Sequence, residues 1–111
     1  MSDQELLGTV ELFEELDAGE LTSISEASAD RALNRGDVLF TEGDEPHELF
    51  VVVSGRVAMA NRSTDGRESV LALMERGDLF GEMPLFDGLP RSAEARALEP
   101  SEVIAIPYEP L

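Results

Sequence analysis

From Asp30 onward, apolar and polar positions alternate with a period of two, the spacing of strands that bury one face. Glycine punctuates the alternation at short intervals. Gly36, Gly43, Gly55, Gly66, Gly77, Gly81 and Gly88 bracket runs rich in Val, Leu, Ile and Phe. The pattern predicts strands over roughly 30–33, 38–41, 48–54, 56–61, 68–74, 79–80, 93–97 and 102–107. Asp65-Gly66, between two of these runs, is a strong hairpin signal because a tight turn needs residues that tolerate φ > 0. Several short strands at regular spacing indicate a barrel or jelly roll, not a parallel α/β sheet. Phe40, Phe50, Met59, Leu71 and Met74 are expected in its core, where single large apolar side chains usually lie.

Before Asp30 the period is helical. Leu6, Val10 and Phe13 recur at helical spacing, with Gly8 and Thr9 suggesting a break between two short turns. Asp17-Ala18-Gly19-Glu20 reads as a capping box, with Asp17 as N-cap. Leu16 and Leu21 fall at the two positions of a hydrophobic staple, and Leu21, Ile24 and Ala27 form an apolar stripe. The spacing predicts a helix over about 18–28, within a helical N-terminal region over about 4–28, ahead of strands over about 30–107. The fold class expected is therefore mainly β.

At 111 residues the chain fits one domain over 1–111, large enough to bury roughly two-thirds of the surface its unfolded form exposes. It contains no run of about eighteen apolar residues and no basic, apolar leader at Met1-Ser2-Asp3-Gln4-Glu5, so a cytoplasmic home is expected. The absence of cysteine removes disulfides, iron–sulfur clusters, thiol nucleophiles and cysteine-ligated zinc. His47 is the only histidine and follows Asp44-Glu45-Pro46, so it is expected on an exposed turn. A Ser/His/Asp triad thus lacks context, and a multi-histidine metal centre lacks parts. No catalytic residue, metal site or cofactor is expected.

Net charge is −16, with 24 acids against 8 bases, and every base is Arg. Such a chain repels nucleic acid and anionic membrane. Its acidity is read as solvated surface, with salt adaptation or a basic partner surface left open. Against that background a local arginine beside a glycine-rich turn carries more meaning.

Such a turn lies in Phe80-Gly81-Glu82-Met83-Pro84-Leu85-Phe86-Asp87-Gly88-Leu89-Pro90-Arg91-Ser92-Ala93. Gly81, without a Cβ, lets backbone approach a ligand closely, and Pro84 suits the first turn of a short helix. A helix start beside glycine presents N–H groups and positive dipole to an anion such as phosphate. Arg91 adds a planar, permanently charged fork of donors. Glu82 is unsuited to the anion, but its carboxylate accepts hydrogen bonds from sugar hydroxyls. The stretch reads as a phosphate-and-ribose cradle; the alternative is a loop ion pair between Glu82 and Arg91.

This stretch resembles the phosphate-binding cassette of cyclic-nucleotide-binding domains. These are the sensory modules of catabolite-activator/FNR-type (Crp/Fnr) transcription regulators, cyclic-nucleotide-dependent kinases and some channels. The family pattern, Phe-Gly-Glu, an apolar residue, a small residue, Leu, a loop, then Pro-Arg-Ser/Thr/Ala-Ala, stands here as 80–85 and 90–93. Arg35-Gly36-Asp37-Val38-Leu39-Phe40, Glu42-Gly43-Asp44, the segment from Leu49 to Val57, Asp65-Gly66-Arg67-Glu68 and Gly77-Asp78 match the family's β-roll as well. The one departure is Pro84, where Ala, Ser or Gly is commoner.

The resemblance implies a double-stranded β-helix, the jelly-roll-like β-roll, with short N-terminal helices and a short cassette helix. It implies that Glu82 binds the ribose 2′-hydroxyl and Arg91 the cyclic phosphate. Ser92 and the backbone at Gly81, Met83 and Ala93 would complete the site. The ligand expected is cAMP or cGMP, and no enzymatic activity is implied. In the family a helix follows the β-roll, covers the base and, in bacterial regulators, dimerises. Residues 108–111 are expected to begin it, with a DNA-binding helix-turn-helix beyond as effector and homodimerisation in the full protein. The absence of cysteine speaks against an oxygen sensor of the FNR type. Two other readings remain: a β-roll that takes no nucleotide, or another anion, and serves as an interaction or dimerisation module; and a cupin-like enzyme, which lacks its metal ligands.

Overall fold

The computed structural model describes residues 10, 13 and 16–109. Leu6 and the break expected at Gly8 and Thr9 lie outside the described residues, as do Pro110 and Leu111. Helix α1 (Ala18–Ala27) is capped as expected, the Asp17 carboxylate accepting from the Glu20 N–H at 2.7 Å. Eight strands follow: β1 (Ala29–Leu33), β2 (Val38–Phe40), β3 (Glu48–Ser54), β4 (Val57–Arg62), β5 (Glu68–Met74), β6 (Leu79–Phe80), β7 (Glu94–Ala97) and β8 (Ser101–Pro107). A short helix, α2 (Met83–Asp87), lies between β6 and β7. The strands form two antiparallel four-stranded sheets, ordered β1-β8-β3-β6 and β2-β7-β4-β5. The architecture is the mainly-β roll that the alternation predicts.

The two sheets face each other across a core of Leu33, Phe40, Phe50, Val52, Val57, Phe80, Ala95, Ala97, Val103 and Ala105. Small residues on β7 and β8 leave room for the rings of Phe40, Phe50 and Phe80, whose centroids lie 5.3–6.4 Å apart. The outer face of the first sheet is also buried. Val10, Phe13 and Ile24 cover Leu49, Val51, Ile104 and Ile106, with Leu16 and Leu21 packed against them as the staple predicts. The first sheet is therefore apolar on both faces, which is why β3 and β8 read as near-continuous apolar runs.

The second sheet turns its outer face to water. There Arg96 pairs with Glu94 at 3.2 Å and reaches Glu68 on β5 at 2.6 Å, while Ala58 and Ala60 are buried on β4 between them. Leu71 corrects the sequence expectation: it is 58% exposed, not core. β5 is the edge strand, and a register shift leaves Leu71 as the extra residue between the pairs Met59–Ala72 and Ala60–Val70. Periodicity alone does not reveal a bulge.

One turn is built three times. In Asn34–Asp37, Thr41–Asp44 and Glu75–Asp78 the aspartate N–H bonds the first residue's carbonyl at 3.0, 3.1 and 2.9 Å. The aspartate carboxylate accepts the first residue's N–H at 2.8, 3.0 and 2.8 Å. The third residue is glycine with φ of +90°, +91° and +87°, which L side chains rarely adopt. Each glycine N–H then donates, at 2.8 Å, to the carbonyl of Ala97, Arg91 or Val52 respectively. The N–H of that same residue returns a bond to the aspartate carbonyl at 2.9, 3.0 and 3.1 Å. Each turn is thus a two-bond clamp on a distant segment, and the middle one holds the main chain of Arg91.

Two substitutions separate backbone strain from steric clash. A Cβ on Gly43 meets nothing within 4 Å, so Gly43→Ala carries only the φ penalty, about 1–2 kcal/mol. At Gly55, φ +84°, a Cβ would stand 2.1 Å from Ser101 Oγ and 2.7 Å from the Pro100 carbonyl, so Gly55→Ala costs more. Urea unfolding of the two variants measures both losses; a smaller loss at Gly55 would contradict the packing described.

Candidate functional site

The fold brings all six sequence-predicted site residues to one cleft. Gly81, Glu82, Met83, Arg91, Ser92 and Ala93 line it together with Phe40, Met59, Met74, Leu79, Phe80 and Pro84. It is a small cleft of about 110 Å³, half open to solvent. Polar groups gather along the Gly81–Met83 and Arg91–Ala93 segments, while Met59, Met74 and Leu79 give an apolar wall. Met59 and Met74, expected as core, are only partly buried because they face this cleft.

The cassette adopts its conformation for local reasons. Gly81 has φ +79°, and a Cβ there would lie 2.9 Å from Arg91 Nη1 and 3.3 Å from Phe50 Cδ2. Glycine is needed both for the torsion and for the approach of the guanidinium. Glu82 stands at the N-cap of α2, and Pro84 follows in the first turn, where its missing N–H leaves no bond unmade. Gly88, φ +69°, ends the helix with its N–H on the Pro84 carbonyl at 2.9 Å.

Arg91 is the buried member of the set, 5% exposed, whereas Ser92 is exposed and Glu82 half-buried. Its guanidinium lies over the Phe40 ring, 4.0 Å from the centroid, with Phe50 at 5.9 Å. Nη1 donates to the Gly81 carbonyl at 2.8 Å and to the Tyr108 hydroxyl at 3.3 Å. Nη2 donates to the Glu48 carbonyl at 2.5 Å. The Tyr108 hydroxyl also donates to the Gly81 carbonyl. Among the described residues Arg91 has no carboxylate ion-pair partner, so the loop pair with Glu82 does not form. Three of its five N–H groups are engaged by neutral oxygens, leaving a desolvated cation with donors to spare.

Two participants escaped the sequence reading. Tyr108 reaches the cassette from the end of β8, its N–H bonded to the His47 carbonyl at 2.9 Å. Glu48 contributes a backbone oxygen, which no side-chain pattern announces; its carboxylate instead pairs with Arg31 at 2.6 Å. His47 itself is exposed, as expected. Among the described residues no group of three or more potential ligands is placed to hold a metal, and no helix is long and apolar enough to cross a membrane.

Comparison with known proteins fits this geometry. A profile of the cyclic nucleotide-binding domain matches residues 30–111. The CRP-like cAMP-activated global transcriptional regulator of Mycobacterium tuberculosis is 30% identical over 92% of this chain, which spans 45% of that regulator's length. The N-terminal domain of a transcriptional regulator from Streptomyces coelicolor superposes with a TM-score of 0.84 at 37% identity, covering 96% of this chain and 74% of that one. The regulatory domain of Toxoplasma gondii PKA, crystallised with cAMP, superposes with a TM-score of 0.90 at 26% identity, covering 96% of this chain and 41% of that one.

Burial holds the Tyr108 phenol above its ordinary value near 10; Arg91 acts against that rise, and Glu82 and Asp87 add to it. Tyr108 is the only tyrosine, so alkaline absorbance titration follows it directly. Its ionisation is expected above the free-tyrosine value, and higher still in Arg91→Leu, where the opposing cation is gone. The linked stability is present below the ordinary value and is lost as pH climbs through the raised one. Ionisation at or below the free-tyrosine value would contradict the buried, hydrogen-bonded hydroxyl.

Proposed function

This chain belongs to the cyclic nucleotide-binding domain family, and we propose that it binds cAMP or cGMP in the cleft beside α2 as the sensory part of a CRP-like transcription regulator. The observation that carries the reading is Arg91, a buried guanidinium without a carboxylate partner among the described residues, at the wall of an open cleft. A cyclic phosphate supplies the missing anion through charge-assisted bonds to the spare N–H groups. The Ser92 hydroxyl and the backbone at Gly81, Met83 and Ala93 add donors around it. Glu82 accepts from the ribose 2′-hydroxyl, and the base lies against the apolar wall of Met59, Met74 and Leu79.

The signal is a difference in affinity between two states. A ligand that binds one arrangement of the cassette and the chain following β8 more tightly shifts the population toward it. In this proposal a helix after the β-roll and a DNA-binding effector read that shift, and the effector supplies the DNA affinity that so acidic a domain lacks.

Calorimetric titration with cAMP and cGMP, and with 5′-AMP as the uncyclised control, tests the assignment. A cyclic nucleotide is expected to bind, and Arg91→Leu to weaken it by about 2–5 kcal/mol. Silence toward both cyclic nucleotides, or unchanged affinity in the variant, would overturn it.

A further inference from the structure

An anion site needs its acceptors turned away or covered, because a bare carbonyl beside a phosphate repels it. The Gly81 carbonyl is such an acceptor. It lies 2.8 Å from Nη1 of Arg91, the residue expected to meet the anion. Two groups cover it: Arg91 Nη1 and the Tyr108 hydroxyl, which donates to the same oxygen while accepting from the same Nη1. Tyr108 therefore holds both members of the cassette's polar pair.

Its main chain belongs elsewhere. Tyr108 follows β8 directly, and its N–H is fixed to the His47 carbonyl beside the start of β3. Next to it, Glu48 holds Arg91 Nη2. One side chain thus ties the glycine of the cassette and the guanidinium to the point where the chain leaves the β-roll.

We propose that Tyr108 is the positioning residue of the anion site, aligning Arg91 through the shared Gly81 carbonyl and transmitting occupancy of the site to the chain that leaves β8. This rests on the reading of the cleft as a cyclic-nucleotide site. When a cyclic phosphate engages Arg91, the Gly81–Arg91–Tyr108 triangle changes its bonding, and the Tyr108 hydroxyl changes with it.

The chain carries its own reporter, since it has one tyrosine and no tryptophan. Two measurements on the 111-residue chain test the proposal. In the first, tyrosine emission is recorded during titration with cAMP and cGMP in parallel with calorimetry. Emission is expected to change and to saturate with the heat, whereas 5′-AMP produces neither. In the second, Tyr108→Phe, which keeps the ring and removes the hydroxyl, is expected to keep its circular dichroism and to bind about tenfold more weakly. If nucleotide binds by calorimetry but emission does not move and Tyr108→Phe binds as tightly as the parent, the role of Tyr108 is overturned and the site assignment stands. If no cyclic nucleotide binds by calorimetry, both fall. Should Tyr108→Phe fail to fold, emission from the parent chain alone decides.

Discussion

Much of this structure depends on one buried cation. Arg91 is nearly inaccessible to water yet has no carboxylate partner among the described residues, so its desolvation is offset by an aromatic face and three neutral oxygens. Those partners come from β2, from β3, from the cassette and from the residue after β8. Holding one guanidinium therefore fixes four separate segments relative to one another. Phe40 and, farther off, Phe50 serve packing and electrostatics together, since they stack with each other in the core and face the charge, while Phe80 packs against both.

The main chain of Arg91 is fixed independently of its side chain. The Gly43-Asp44 turn grips its N–H and carbonyl, as sister turns grip Ala97 and Val52. Asp44 is held below its ordinary carboxylate value, chiefly by bonds from Thr41 with a further contribution from the Arg91 charge, so the turn stays ionised and closed near neutral pH. Backbone clamping sets where the residue is, and side-chain bonding sets where its charge points. The second set of bonds can therefore change without dismantling the first.

Most of this architecture was legible in the sequence, and the exceptions share a cause. Strand positions follow from alternation between glycines, and the predicted spans agree with the observed ones to within a residue or so at each end. The cassette residues converge on one cleft because they sit within a single turn-helix-turn segment. Leu71 was misplaced because a bulge on an edge strand breaks the period that located it. Tyr108 was read only as the start of a following region, since its bond to Gly81 joins residues 27 apart in sequence. Phe40 and Phe50 were legible as core but not as a platform for charge. Local chemistry is written locally, whereas contacts made by the closing of two sheets are not.

The two sheets differ in cover, and this has a consequence for motion. Protection against amide hydrogen exchange scales with the free energy of local opening, which rises with buried apolar contact. β3 and β8, covered on both faces, are expected among the slowest-exchanging parts of the molecule. β5, an edge strand with five of its seven residues exposed, is expected among the fastest. Met59 and Met74 build the apolar wall of the cleft from β4 and β5 of the second sheet, whereas Arg91 Nη2 is held by Glu48 at the start of β3. The polar and apolar walls of the cleft thereby draw on sheets that are expected to open at different cost.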